Sequence, residues 1–455
     1  MKGDPGFDVL SIRRVQEGYR RGELTPEDVA EICIARTEAQ EGRFGVWAVF
    51  DPERLRAQAR ASAARWLSGL SPRPLEGIPV GVKDVFNTAD FPTEMGSPLR
   101  RGFTPGNDAR AVFHLRRAGA VLPGKTATAE WDLQVSPGVA KNPPDVPWTP
   151  GDFSDGSAVA VALGMVPAAL GTQTTGPQEI PVGYGGVYCC KPSFGVVPRT
   201  GVLKTSDTLD SVGFFVAHEE DLRTVFDALR VQGPNYPYVF RALEDRGRQG
   251  RPQGRPWRVA LGRPAPGHRA DPHAREALEG WARRVDADGA FVVEEGDLPP
   301  SLAEGGEVHR VLHRWGLAYY LKGEAQDRLR RSPVMRDILD DGARISLEEY
   351  RRAEERQGEI QRDMEEFFSR YDALVSLVPA EEDDSAMLWT LAHLPVVGAP
   401  ALRCPQGLPL GLQVVARKYN DLQLITLCAD LTEAGFLPPR SAGAEAPAGR
   451  QGEER

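Results

Sequence analysis

The sequence predicts a mixed α/β chain. Segments with helical spacing and recognisable caps alternate with short runs in which every second residue is apolar, the two periodicities of helix and strand. The 455 residues leave room for several domains or for one large α/β domain with a substantial core.

The elements follow in order. Residues 11–40 read as helical: Thr25 can cap, Pro26 suits the first helical position and Asp28 favours the first turn. The Ala/Arg-rich stretch 53–68 reads as a second helix. The period changes in "LEGIPVGVKDVF", residues 75–86. There Ile78, Val80 and Val82 alternate with Pro79, Gly81 and Lys83, which predicts a strand with Lys83 on the face opposite Val82. Residues 109–118 form a short amphipathic pattern, followed by a strand in "AVLPGKT". Residues 157–170 are apolar all round and read as a buried helix, entered through the loop "TPGDFSDGS". The section 241–280 is rich in Arg, Gly and Pro and reads as an exposed connection around one strand, "WRVAL". A long charged helix is expected over 346–371 and a late strand over 407–415, "GLPLGLQVV". The tail "SAGAEAPAGRQGEER" has a disordered composition, and no internal repeat is evident.

Composition narrows the function. Hydrophobic residues make up 41% and charged residues 26%, the profile of a globular chain. A net charge of −9, spread along the chain, argues against broad nucleic-acid binding. The Arg-rich section has acidic neighbours and little aromatic interleaving, so it reads as solvated loop. The five cysteines form no CxxC pair and read as reduced thiols; Cys189 and Cys190 would face opposite ways on a strand. "MKGDPGFDVL" has no apolar signal core, and no window approaches 18 uninterrupted apolar residues, so the expected location is cytoplasmic with no membrane span. Glu307, His309 and His313 could suggest a metal, with the histidines at i, i+4. The HExxH order is absent, and a surface helix explains them better; no metal is expected.

Five ordered stretches resemble one family. They are "PLEGIPVGVKDVFNTADFPTEMGS", "DARAVFHLRRAGAVLPGKT", "PGDFSDGSAVAVALGMVPAALGTQTTGPQEIP", "GGVYCCKPSFGVVPRTGV" and "GLPLGLQVVARKYND". Together they resemble the amidase-signature family, from about residue 10 to residue 435, most weakly over 241–375. The resemblance implies a single α/β domain over 1–437, with a large, twisted, mostly parallel mixed sheet flanked by helices on both faces. Within it lie N-terminal helices (8–70), a signature core (75–235), a divergent section (241–375) and closing strands (376–437), before a disordered tail (438–455). It implies hydrolysis of linear amides, or ammonia transfer from an amide in tRNA-dependent amidotransferases, by a Ser–cis-Ser–Lys triad with no metal or organic cofactor.

Such a triad needs a serine activated by a base, a lysine held neutral, and backbone N–H groups for the oxyanion. Carried across position by position, the family lysine matches Lys83 in "GIPVGVKD". The bridging serine matches Phe153 in "PGDFSDGS", with Ser154 retained beside it. The nucleophile matches Pro177 in "GTQTTGPQEIP". A phenyl ring passes no proton, and proline offers neither a nucleophile nor a backbone N–H. Thr174, Thr175 and Gly176 belong to the oxyanion-type loop, with Thr175 bulkier than the family's Ala or Gly. The run between Pro379 and Trp389, which in the family helps wall the pocket, is shortened.

The expectation is a pseudo-amidase that binds a small amide- or carboxylate-containing ligand, or acts as a homo-oligomer or beside a partner subunit. The alternative is an amidohydrolase with a displaced nucleophile such as Ser154 or Thr175. Lys83, stripped of its serines, needs compensation for its charge, and Asp152, Asp155 and Glu179 are the candidate partners; solvent-facing loop charges are the other reading of these three.

Overall fold

The computed structural model describes residues 10–133, 156–175, 186–233, 236–262, 272–323, 333–378, 385–403 and 409–439. Eleven strands form one sheet: β1 (Trp47–Phe50), β2 (Val80–Lys83), β3 (Gly124–Thr126), β4 (Ala168–Gln173), β5 (Tyr188–Lys191), β6 (Ser211–Val216), β7 (Trp257–Gly262), β8 (Phe291–Gly296), β9 (Ala373–Leu377), β10 (Val396–Arg403) and β11 (Pro409–Ala416). Their order is β1-β3-β2-β4-β6-β5-β10-β11-β9-β7-β8. The α/β class and the single mixed sheet are as expected. Parallel pairing is confined to β3–β2–β4 and β8–β7–β9, while β1–β3 and the run from β4 through β9 pair antiparallel. Parallel neighbours are therefore a minority, against the mostly parallel sheet the resemblance implied.

Local sequence explains most boundaries. The expected 11–40 helix is two, Ile12–Arg21 and Pro26–Phe44, because Gly22 takes a left-handed φ of 69° and ends the first. Thr25 caps the second in a reciprocal capping box with Asp28. The second predicted helix is Pro52–Leu67, the amphipathic one is Arg110–Ala118, and the long charged one is Leu347–Phe367.

Two expectations need correction. Residues 157–170 are not one helix: the helix Gly156–Ala162 gives way to β4, which starts at Ala168. An apolar run buried on all sides carries no period to separate the two. The section 241–280 holds more than one strand in an exposed connection. It also carries the helices Pro237–Glu244, Arg246–Gln249 and Pro272–Asp286, the last burying Leu278, Trp281 and Val285. Around the sheet, apolar clusters cover opposite faces. Cys189 packs with Ala169 and Phe215, whereas Cys190 packs with Leu170 and Phe214, as strand alternation requires. Cys33, Cys189, Cys190 and Cys428 are buried free thiols. Among the described residues no helix is long and apolar enough to cross a membrane.

Candidate active site

The site forms where parallel strands end together. β2 lies between β3 and β4, with Lys83 opposite Thr126 and Val82 opposite Leu170. The carboxyl ends of these three strands open on one edge, the usual place for ligands in a parallel segment. Lys83 closes β2 there, its side chain 0% exposed. Its Nζ lies 2.5 Å from Oδ1 of Asp132. The Thr172 hydroxyl, near the end of β4, donates to Oδ2 of the same carboxylate at 2.5 Å.

Asp132 reaches this position through unusual backbone. Trp131 and Asp132 are consecutive non-glycine residues with φ of 55° and 60°. Each such conformation costs about 1–2 kcal/mol for an L-residue. Surrounding contacts hold it: the Trp131 N–H donates to the Met95 carbonyl at 2.8 Å, and Ser97 binds the Glu130 carboxylate at 2.8 Å. The Trp131 indole is buried among Met95, Leu317, Leu321, Met335, Ile338 and Leu339.

A second buried pair anchors the turn carrying Met95. Lys125 donates to Asp84 at 2.9 Å, to the Thr93 hydroxyl at 3.0 Å and to the Pro92 carbonyl at 3.1 Å. Asp84 Oδ2 accepts the N–H groups of Glu94 and Met95, each at 3.1 Å. Burial pushes the Asp84 carboxyl up and the Lys125 amine down, while their mutual attraction opposes both. A continuous path thus runs from Lys125 through Asp84, Met95 and Trp131 to Asp132 and Lys83.

The loop after β4 is pinned from behind. Thr174 donates to Asp210 at 2.8 Å, and Thr390 donates to the Thr175 carbonyl at 3.0 Å. His309 Nε2–H donates to the Thr174 carbonyl at 2.8 Å. Burial raises the Asp210 carboxyl, and bonds from the Thr205 and Ser206 N–H groups and from the Thr205 and Thr174 hydroxyls oppose the rise. Asp132, Thr172, Thr174, Arg199 and Asp210 line a small, partly open cleft, with Val85 and Val212 on its apolar wall.

Lys83 is buried as expected, and Thr174 and Thr175 lie half-buried just after β4. Asp152, Phe153, Ser154, Asp155, Gly176, Pro177 and Glu179 lie outside the described residues, as does most of the shortened run after Pro379. Among the described residues the carboxylate on Lys83 is that of Asp132, a residue the sequence does not single out. Its position six residues past β3 becomes a signal only once β3 is known to lie beside β2. The expected surface helix for Glu307, His309 and His313 is also corrected: His309 is buried against the Thr174 carbonyl. Among the described residues no group of three or more His, Cys, Asp or Glu could hold a metal ion.

Two consequences follow for stability. His309→Ala leaves the Thr174 carbonyl without this donor and is expected to cost about 1–3 kcal/mol in urea unfolding, with His309→Gln recovering part of it. His393 stacks on Phe194 at 4.1 Å, donates from Nε2 to the Thr208 carbonyl at 2.7 Å and receives Lys418 on Nδ1 at 3.2 Å. Burial and the nearby Lys418, Lys191 and Arg199 charges push its pKa from 6.5 down to about 3. The neutral ring is the folded form, so its stability is complete above pH 6.5 and lost as pH falls toward 3, by about 1.4 kcal/mol per pH unit from this group. His393→Gln is expected to remove about that slope from the fall in urea-derived stability between pH 6 and 4.

Comparison with known proteins agrees with this architecture. The family model described as Amidase matches residues 28–425. The A subunit of glutamyl-tRNA(Gln) amidotransferase from Anaeromyxobacter sp. (strain K) is 31% identical, covering 94% of this chain and 97% of its own. Its counterpart from Symbiobacterium thermophilum is 29% identical, covering 92% and 95%. Among solved structures, an amidase superposes with a TM-score of 0.78 at 26% identity, covering 94% of this chain and all (100%) of its own. A bacterial aryl acylamidase of the amidase-signature family superposes with a TM-score of 0.81 at 20% identity, covering 97% and 99%, a likeness of fold. With the family model matched over most of its length and a buried lysine closing the second strand, this chain belongs to the amidase family.

Proposed function

We propose that this amidase-family chain is non-hydrolytic and serves as a ligand-binding protein or as the inactive subunit of a complex. The observation that carries this is the retained lysine. Lys83 sits at the family's base position, yet its amine is paired with a carboxylate at 2.5 Å. A lysine acts as a base only when neutral, and an opposed carboxylate favours the ammonium. The sequence supplies the rest: proline at the nucleophile position, Pro177, and phenylalanine at the bridging position, Phe153. The subunit role rests on relatives named as amidotransferase subunits. The ligand role would use the small cleft whose lining includes Asp132 and Arg199, next to the Lys83–Asp132 pair.

A fluorophosphonate probe is expected to leave the protein unlabelled, and 4-nitroacetanilide is expected to release no 4-nitroaniline above background. Labelling lost in Ser154→Ala or Thr175→Ala would instead identify a displaced nucleophile and make the chain an amide hydrolase.

A further inference from the structure

We infer that Asp132 is a third inactivating residue, one that holds Lys83 as an ammonium independently of the missing serines. This deepens the non-hydrolytic reading and rests on it. The Lys83 amine and the Asp132 carboxylate are 2.5 Å apart, with the lysine side chain fully buried and the aspartate 11% exposed. A carboxylate this close to a buried amine favours the amine's charged form over its neutral one. The other carboxylate oxygen accepts from Thr172, which fixes its direction.

The backbone argues that this placement is held rather than incidental. Asp132 follows Trp131 through two left-handed non-glycine conformations, at 55° and 60°. Such strain persists only where surrounding structure over-determines it. Here the Met95 carbonyl, the buried indole and the Thr172 hydroxyl do so. The same contacts that hold this turn fix the direction from which Asp132 approaches Lys83.

Thr172 does not turn the array into a working triad. The Asp132 carboxylate is engaged by the lysine amine, and a threonine hydroxyl without a free base beside it is a poor nucleophile. The Thr172–Asp132–Lys83 array is therefore a lock on the amine.

Asp132→Asn tests this with little risk to folding, because asparagine tolerates left-handed φ and keeps an acceptor. The first readout is the Lys83 ¹³Cε resonance in lysine-labelled protein, assigned by its loss in Lys83→Met. In the wild type it is expected to hold its ammonium position to higher pH than in Asp132→Asn, where the midpoint falls by about one unit or more. Equal midpoints would overturn the inference. The second readout uses Phe153→Ser/Pro177→Ser with 4-nitroacetanilide. Adding Asp132→Asn is expected to raise turnover at pH 7 by about tenfold or more, as expected for a base pKa about one unit lower, and to move the rising limb of the pH profile to lower pH. A double variant already as active as the triple would sink the Asp132 role while leaving the non-hydrolytic reading intact. Turnover by the unaltered chain would sink that reading instead.

Discussion

Asp84→Ala is expected to destabilise the chain by about 3–5 kcal/mol, the typical cost of removing one partner from a buried ion pair. Lys125 is fully buried, and its described bonds go to Asp84, Thr93 and the Pro92 carbonyl. Alanine would leave its ammonium facing two neutral acceptors. It would also release the Glu94 N–H and weaken the hold on Met95, whose carbonyl carries Trp131. The loss should show as a lower urea midpoint with little change in the slope of unfolding.

The reverse substitution gives a cleaner separation of charge from packing. Lys125→Met leaves the Asp84 carboxylate with its two N–H donors but no cation. Asp84→Asn/Lys125→Met removes both charges while keeping an acceptor for Glu94 and Met95. The double variant is expected to be closer to the wild type than the separate losses of Asp84→Asn and Lys125→Met would sum to, because neither charge is then stranded. Additive losses in that cycle would mean that Asp84 acts through its backbone contacts and not through the pair.

How far the site was legible depends on which interactions set it. Lys83 was readable because strand alternation and a local motif both act over a few residues. The caps at Thr25 and Asp28 were readable for the same reason: the bonds that form them span three positions. Asp132 was not readable. Its partner is 49 positions away in sequence (132 − 83), and the two meet only because β2 and β3 run parallel and end on one edge. Nor does a sequence announce two left-handed residues when neither is glycine. His309 was misplaced because an i, i+4 histidine pair on a polar-looking helix gives no sign that one ring turns inward to a carbonyl of another segment. The boundary between the Gly156–Ala162 helix and β4 was invisible because a stretch buried on every side has no hydrophobic period at all. Physical locality is the common thread: what is decided within a turn or a strand was legible, and what is decided by register was not.

Gly96→Ala should disturb the site from a distance. Gly96 has a φ of 64°, and a Cβ there would sit 2.5 Å from the Thr128 carbonyl oxygen and 2.8 Å from that of Ala129. Both obstacles are backbone, so neither can rotate aside as a flexible side chain would. Left-handed strain adds about 1–2 kcal/mol, and overpacking about 1–3 kcal/mol, so a total of about 2–5 kcal/mol is expected in urea unfolding. The clash falls on the segment that leads from β3 into Trp131 and Asp132. Pushing that segment away from Met95 would stretch the Trp131 N–H to Met95 carbonyl bond, 2.8 Å in the native fold, and draw the Asp132 carboxylate off Lys83. The variant should therefore show two linked effects: a lower unfolding midpoint, and a Lys83 ¹³Cε titration displaced toward lower pH in the molecules that remain folded. Destabilisation with an unchanged Lys83 titration would show that the Met95–Gly96 turn supports the fold without placing Asp132.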